Sequence, residues 1–191
     1  MKRLLLILLI CAPVHSFAQK SVRYRADVEL NPGLGLIQMG AEQAEDFGYE
    51  IPLRYLYAGA GLGTVQGIEI KDRIFLGAGL NIIGSAVFNG NGSSTAGFGF
   101  GLFLHGEYAF GDADSRVRPF ASARFGFKGC EGLSSPTWTL GGGIRIRNRL
   151  DLGLNYSLGR TTESDYDSET GTTKVYPLLC HIPYLRIAYL F

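Results

Sequence analysis

Arg149-Leu150-Asp151-Leu152-Gly153-Leu154-Asn155-Tyr156-Ser157-Leu158-Gly159-Arg160 is the stretch that decides the fold. Leu150, Leu152, Leu154, Tyr156 and Leu158 alternate without a slip against Asp151, Gly153, Asn155, Ser157 and Gly159. Period two means a strand with one apolar face, since a helical advance of about 100° per residue would scatter these leucines around the axis. Immediately upstream, Trp138, Leu140, Gly142, Ile144 and Ile146 alternate with Thr139, Gly141, Gly143, Arg145 and Arg147. A turn at Arg147-Asn148-Arg149 joins the two runs and keeps both apolar sets on one side of the sheet.

The same pattern predicts six more strands, near 22–36, 57–70, 73–85, 98–110, 116–128 and 181–191. In the fourth of all eight, Phe98, Phe100, Leu102, Leu104, Tyr108 and Phe110 oppose Gly99, Gly101, His105, Glu107 and Ala109. In the fifth, Val117, Pro119, Ala121, Ala123, Phe125 and Phe127 oppose Arg118, Ser122, Arg124 and Gly126. The second is the weakest, with Thr64 and Gln66 on its apolar side. Links at 71–73, 111–115 and 147–149 are short, whereas those near 37–56, 86–97, 129–136 and 161–180 are long. Such an alternation is expected of an eight-stranded antiparallel up-and-down transmembrane barrel, with short periplasmic turns and longer extracellular loops. A strand of about 12 residues, tilted about 40°, rises roughly 30 Å, enough for an apolar band about 25 Å tall.

Soluble alternatives, a lipocalin-like cup or a double-sheet sandwich, would turn the apolar face inward. Volume argues against both: about five large apolar side chains on each of eight strands overfill so narrow a barrel, while the glycine-rich and charged face fits it. Aromatic residues such as Tyr24, Tyr108, Phe110, Tyr189 and Phe191 fall near strand ends, where interfacial girdles belong. Among the 191 residues, 46% are apolar, only 18% are charged and 27 are glycine, which excludes a disordered or coiled-coil chain. The formal net charge of +1 gives no electrostatic footprint for nucleic acid.

The start of the chain adds a compartment. Lys2 and Arg3 precede an apolar run from Leu4 to Cys11, Pro13 ends it, and Ser16-Phe17-Ala18 forms a small-x-small cleavage site. These are the parts of a secretory signal peptide over 1–18, followed by a barrel domain over 19–191. The apolar run is too short for a spanning helix, and Ile10 before Cys11 departs from a lipoprotein box.

The terminal strand Tyr184-Leu185-Arg186-Ile187-Ala188-Tyr189-Leu190-Phe191 resembles the C-terminal strand of bacterial outer-membrane barrels. The resemblance implies that Tyr189 and Phe191 form a signal for the barrel-assembly machinery. More narrowly, Gly77-Ala78-Gly79-Leu80, the run Arg118 to Gly126, and Gly141-Gly142-Gly143-Ile144-Arg145 followed by Leu152 to Tyr156 resemble the small outer-membrane barrel domain family of Bacteroidetes-type bacteria, an OmpA/OmpX-like eight-stranded barrel. This likeness implies outer-membrane localisation, with membrane lipids and lipopolysaccharide as neighbours, and implies little about activity.

Parity points Arg25, Arg118, Arg124, Arg145 and Arg186 inward, facing Asp27, Glu29, Glu69, Glu107 and Asp151. A lumen of eight strands has room for side chains only, and charges persist there when paired, so these ten residues are expected to form a salt-bridged plug. One arrangement has catalytic character: a register pairing 110 with 117 sets His105 opposite Ser122, beside Glu107, the hydroxyl, imidazole and carboxylate that nucleophilic hydrolysis uses. On the lipid-side parity near the outer rim, His181 has no visible partner.

Cys130 and Cys180, both at outer strand ends, are candidates for a disulfide in an oxidising compartment. The link near 161–180 carries Glu163, Asp165, Asp167 and Glu169, and that near 37–56 carries Glu42, Glu45, Asp46 and Glu50. Asp165, Asp167 and Glu169 resemble the opening of a calcium loop, but Gly171 is misplaced and Tyr176 stands where the twelfth-position acid belongs. No metal or cofactor is therefore expected, although divalent ions could bridge this loop to lipopolysaccharide phosphates. The expected function is that of a non-enzymatic, integral outer-membrane barrel with a structural or surface-interaction role through loops whose ligand the sequence does not name. The alternatives are a lipid or ester hydrolase using Ser122 and His105, and a narrow small-solute channel.

Overall fold

A computed structural model describes residues 22–39, 54–89, 94–130, 133–167 and 172–191. Eight strands follow one another in chain order: β1 (Val22–Met39), β2 (Arg54–Ile70), β3 (Ile74–Asn89), β4 (Ser94–Ala109), β5 (Val117–Cys130), β6 (Leu133–Ile146), β7 (Leu150–Asp167) and β8 (Thr172–Leu190). Each pairs antiparallel with its sequence neighbours, and β1 pairs with β8, so the sheet closes into a barrel with no free edge. Closure satisfies the backbone of every strand on both sides, which a wall facing hydrocarbon requires.

The two faces of the wall have the polarity of a membrane barrel. Phe98, Leu140 and Leu34 are 80%, 68% and 63% exposed on the outside, within a continuous exterior of Leu, Ile, Val, Phe and Trp side chains. Inside, Arg25, Asp27, Glu29, Glu69, Arg145, Asp151 and Arg186 are buried. Water would reject that exterior; hydrocarbon accepts it, while the closed wall keeps the charged interior away from the lipid. Gln66, a polar residue on the outer face of β2, accepts a hydrogen bond at 3.0 Å from the hydroxyl of the rim residue Tyr24.

Tight turns fix the register of two hairpins. Arg73 N–H donates to Ile70 O at 3.1 Å, and Arg149 N–H to Ile146 O at 3.0 Å. The intervening Lys71, Asp72, Arg147 and Asn148 all have φ between 50° and 56°, the left-handed pair of backbones that matches the twist of hairpin strands. At the opposite end the expected contrast of loop lengths does not hold. The strands run on into stretches read as loops, leaving links of 14, 4, 2 and 4 residues there, against 3, 7 and 3 at the tight-turn end. The physical reason is that a ladder needs backbone partners, not an apolar face. Glycine- and serine-rich segments such as Ser94-Thr95-Ala96-Gly97 pair with Phe88 to Ser85 once the neighbouring strand is present. With 14 to 19 residues in β5 and β8, the strands rise about 35 to 48 Å at a tilt of about 40°, beyond the apolar band on one side.

The expected signal peptide over 1–18 and the acidic residues Glu42, Glu45, Asp46 and Glu50 lie outside the described residues.

Candidate functional site

Because every second side chain of every strand enters the lumen, charges far apart in sequence meet on the barrel axis. From the tight-turn end, Arg23 holds Glu69 at 2.5 Å and Asp72 at 3.2 Å. Above it, Arg25 chelates Asp27 through Nε and Nη2 at 2.8 and 2.6 Å and donates from Nη1 to Glu107 at 2.9 Å. Arg145 reaches Asp151 through Nε at 2.8 Å, Glu69 through Nη1 at 3.1 Å, and Glu107 through Nη2. Arg186 spans Glu29, Glu107 and Asp27 at 3.1, 2.9 and 3.1 Å. At the top, Arg124 makes a two-pronged contact with Glu29 at 2.7 and 2.6 Å.

Nine of the ten residues read as a charged lumen thus share one connected network: Arg25, Arg124, Arg145 and Arg186 with Asp27, Glu29, Glu69, Glu107 and Asp151. Arg118 is the exception. Although buried, it lies at the tight-turn rim, where Nη2 donates to the Asp72 carbonyl at 2.5 Å and Nη1 to Asn148 at 3.4 Å. The fifth positive charge is Arg23 on Glu69, so the plug still balances five against five. Buried charges persist only when paired and hydrogen-bonded, and each carboxylate here receives at least two guanidinium contacts.

Aromatic faces complete the packing. Phe75 lies 4.2 Å under the Arg25 guanidinium, Phe103 lies 4.7 Å from that of Arg124 and Phe120 lies 5.6 Å from that of Arg186. In the sequence these inward phenylalanines interrupt the polar face beside longer outward apolar runs, and strict parity alone marks them as inward, along with Asn81, Lys128, Thr139 and Asn155. Glycine makes room for the larger groups. A Cβ on Gly79 would stand 2.6 Å from Phe103 and 2.8 Å from the Thr64 carbonyl, and one on Gly141 would overlap the Asn155 side chain.

The register of β4 on β5 differs by two residues from the one expected. His105 faces Arg124 and Glu107 faces Ser122, since Phe110 N–H bonds the carbonyl of Pro119. The link of seven residues between these strands, unlike the tight turns, does not fix pairing. Ser122, His105 and Glu107 therefore form no triad. The Ser122 hydroxyl is 3.4 Å from Asn155 Oδ1, and His105 Nδ1 accepts a 3.0 Å bond from Arg124 Nε, which occupies the lone pair a general base would use. His105 Nε2 faces Glu107 at 3.5 Å.

Cys180 carries a free thiol; Cys130 ends β5, three strands away around the wall. At about 4.8 Å per strand step their backbones are beyond disulfide reach, so the expected bridge is not formed. Asp165 and Asp167 lie on the extended backbone of β7, opposite Lys174 and Thr172, rather than in a coiled loop; their side chains, and Glu169 altogether, lie outside the described residues. No group of three metal-ligating side chains occurs among the described residues. His181 has a partner after all, the hydroxyl of Tyr156 at 2.5 Å from Nδ1. Tyr189 and Phe191 stack edge to face at 4.9 Å on the outer surface of the tight-turn rim.

Above the plug the lumen is hollow. A cavity of about 50 Å³ between Asn31, Asn81, Phe103 and Arg124 is followed by one of about 230 Å³ lined by Ile37, Ile83, Val87, Lys128, Cys180 and Ile182 among others.

A closed eight-stranded wall, apolar outside and ion-paired within, defines a transmembrane β-barrel of the kind bacterial outer membranes hold. Its architecture is similar to that of the outer membrane protein OprG from Pseudomonas aeruginosa, with a TM-score of 0.50 and 8% identity over 90% of this chain and 96% of that one. AlkL, an outer membrane protein solved in DMPC bilayers, follows at 0.49, with 12% identity over 88% and 89% of the two chains. Neisserial surface protein A scores 0.45, with 12% identity over 88% and 98%. At such identities the likeness is one of fold, and the OprG match carries it. No family model and no curated protein matches the sequence.

Proposed function

We propose that this barrel is a non-conducting, non-enzymatic protein of the bacterial outer membrane, with a structural or surface-interaction role carried by its outer rim and loops. The observation that supports this reading is the plug. Four guanidiniums and five carboxylates, all nine buried, with Arg23 on Glu69 at the rim, cross-link β1, β2, β4, β5, β6, β7 and β8 across the tight-turn half of the lumen. A wall braced this way suits a protein that holds a fixed outer rim in the membrane.

The same reading takes residues 1–18 as a removed signal peptide, membrane lipids and lipopolysaccharide as neighbours, and the Tyr189–Phe191 end as the segment read by the barrel-assembly machinery. It also takes the finer kinship to be with the small Bacteroidetes-type barrel domains. The test is conductance of the purified barrel in a planar lipid bilayer. A silent wild type, with channel events appearing on Arg145→Ala, supports a sealing plug. Stable unitary conductance in the wild type would replace this reading by that of a narrow small-solute channel.

A further inference from the structure

The interior changes character at one level. Below, inward positions are charged and mutually paired. Above, the same parity presents Ile37 on β1, Ile83 and Val87 on β3 and Ile182 on β8, interspersed with the hydroxyl residues Tyr57, Ser85, Ser135 and Thr137, around a largely apolar cavity of about 230 Å³. At the junction stands Lys128 of β5. Its ammonium is 3.4 Å from Ser157 Oγ and 5.9 Å from the Tyr184 ring, and among the described residues no carboxylate is within ion-pair distance. Every acid of the plug beneath is already engaged by guanidinium groups, and Arg124, the nearest cation of the plug, is committed to Glu29. A half-buried ammonium without a counter-ion beneath an apolar hollow is complementary to an anion with an apolar tail.

We propose that the upper lumen binds a single-chain monocarboxylate amphiphile, with its carboxylate on Lys128 Nζ and the Ser157 hydroxyl and its chain along Ile37, Ile83, Val87 and Ile182. A hollow of about 230 Å³ has room for a short alkyl chain, for which an eight-carbon probe is suited. A lysine, a single point charge beside one hydroxyl, matches one carboxylate rather than a phosphate dianion, for which a guanidinium fork is the better host. The plug forms the floor, so binding here does not require passage through the barrel.

The test uses the barrel in lipid nanodiscs, titrated calorimetrically with sodium octanoate at neutral pH. Partition into the bilayer is common to all variants, so the saturable difference between wild type and Lys128→Gln reports the site. One site per barrel is expected in the wild type, weakened about tenfold or more in Lys128→Gln, as loss of a charge-assisted contact implies. It should be retained within about threefold in Lys128→Arg. Val87→Trp, which fills the hollow without touching the charge, should also abolish binding; heat-dependent gel migration verifies that each variant is folded. In a Cys130→Ser background, octanoate should slow alkylation of the cavity-lining Cys180 thiol by about fivefold. Equal titration of wild type and Lys128→Gln would overturn the proposal, as would 1-octanol binding as tightly as octanoate, or binding that leaves the Cys180 rate unchanged.

Discussion

Glu107 is the centre of the plug, and removing its charge alone tests whether the network acts as a unit. Its Oε1 accepts from Arg25 and Arg145, its Oε2 accepts from Arg186 at 2.9 Å, and His105 Nε2 stands 3.5 Å away. In Glu107→Gln the amide oxygen retains the first two contacts, but the amide nitrogen confronts Arg186 Nη1, donor against donor. One charge-assisted bond is lost, worth about 1.5 to 3 kcal/mol. Three buried guanidiniums also lose a counter-charge, and unbalancing a buried ion pair brings the expected total to about 3 to 5 kcal/mol. Trp138, the single tryptophan, lies 61% exposed on the outer wall. Its emission therefore reports the passage of the wall from lipid to water during urea unfolding of barrels folded in vesicles. Adding Arg186→Gln to Glu107→Gln should return about 1 to 3 kcal/mol relative to the sum of the two single losses, since the two groups touch. A loss below about 1 kcal/mol for Glu107→Gln, or strict additivity in the double variant, would refute the claim that these charges depend on one another.

Three further outcomes are expected. Leu140→Arg, on the lipid face, should cost about 2 to 4 kcal/mol in the same urea assay if Leu140 sits near the bilayer midplane, whereas the adjacent inward Thr139→Ser should be nearly neutral; equal costs would invert the assignment of the two faces. Gly141→Ala should lower stability by about 1 to 3 kcal/mol, because its Cβ would meet Asn155 and the Leu154 carbonyl. Gly106→Ala, with only Leu76 at 3.8 Å, should not, and folding yields in vesicles would separate them. Finally, the detergent-extracted wild type should migrate differently on a gel before and after boiling, as a closed barrel resists detergent until heated; identical migration would count against closure.

Parity is a local property, and it is where the sequence was most readable. Leu150 to Leu158 and Trp138 to Ile146 set which face is apolar without knowledge of any partner strand, and turns as tight as 147–149 carry that choice from one strand to the next. The eight strands, the outward apolar wall and the inward charges follow from these two facts. Pairing across a longer link does not. Seven residues between β4 and β5 allow several registers of the same parity, and the one adopted puts His105 on Arg124 instead of Ser122.

Contacts across the lumen are equally hidden. That Arg23, not Arg118, supplies the fifth charge of the plug depends on the height of each side chain along the axis, a product of strand tilt around the whole barrel. The same holds for Cys180, whose distance from Cys130 is set by three strand steps around the wall, and for the hollow above Lys128, bounded by all eight strands. By itself the sequence determined which side of the wall each residue faces, because the strand period is two wherever the strand lies; only closure of the barrel decided which inward residues share a level, because that depends on register and tilt summed over all eight strands.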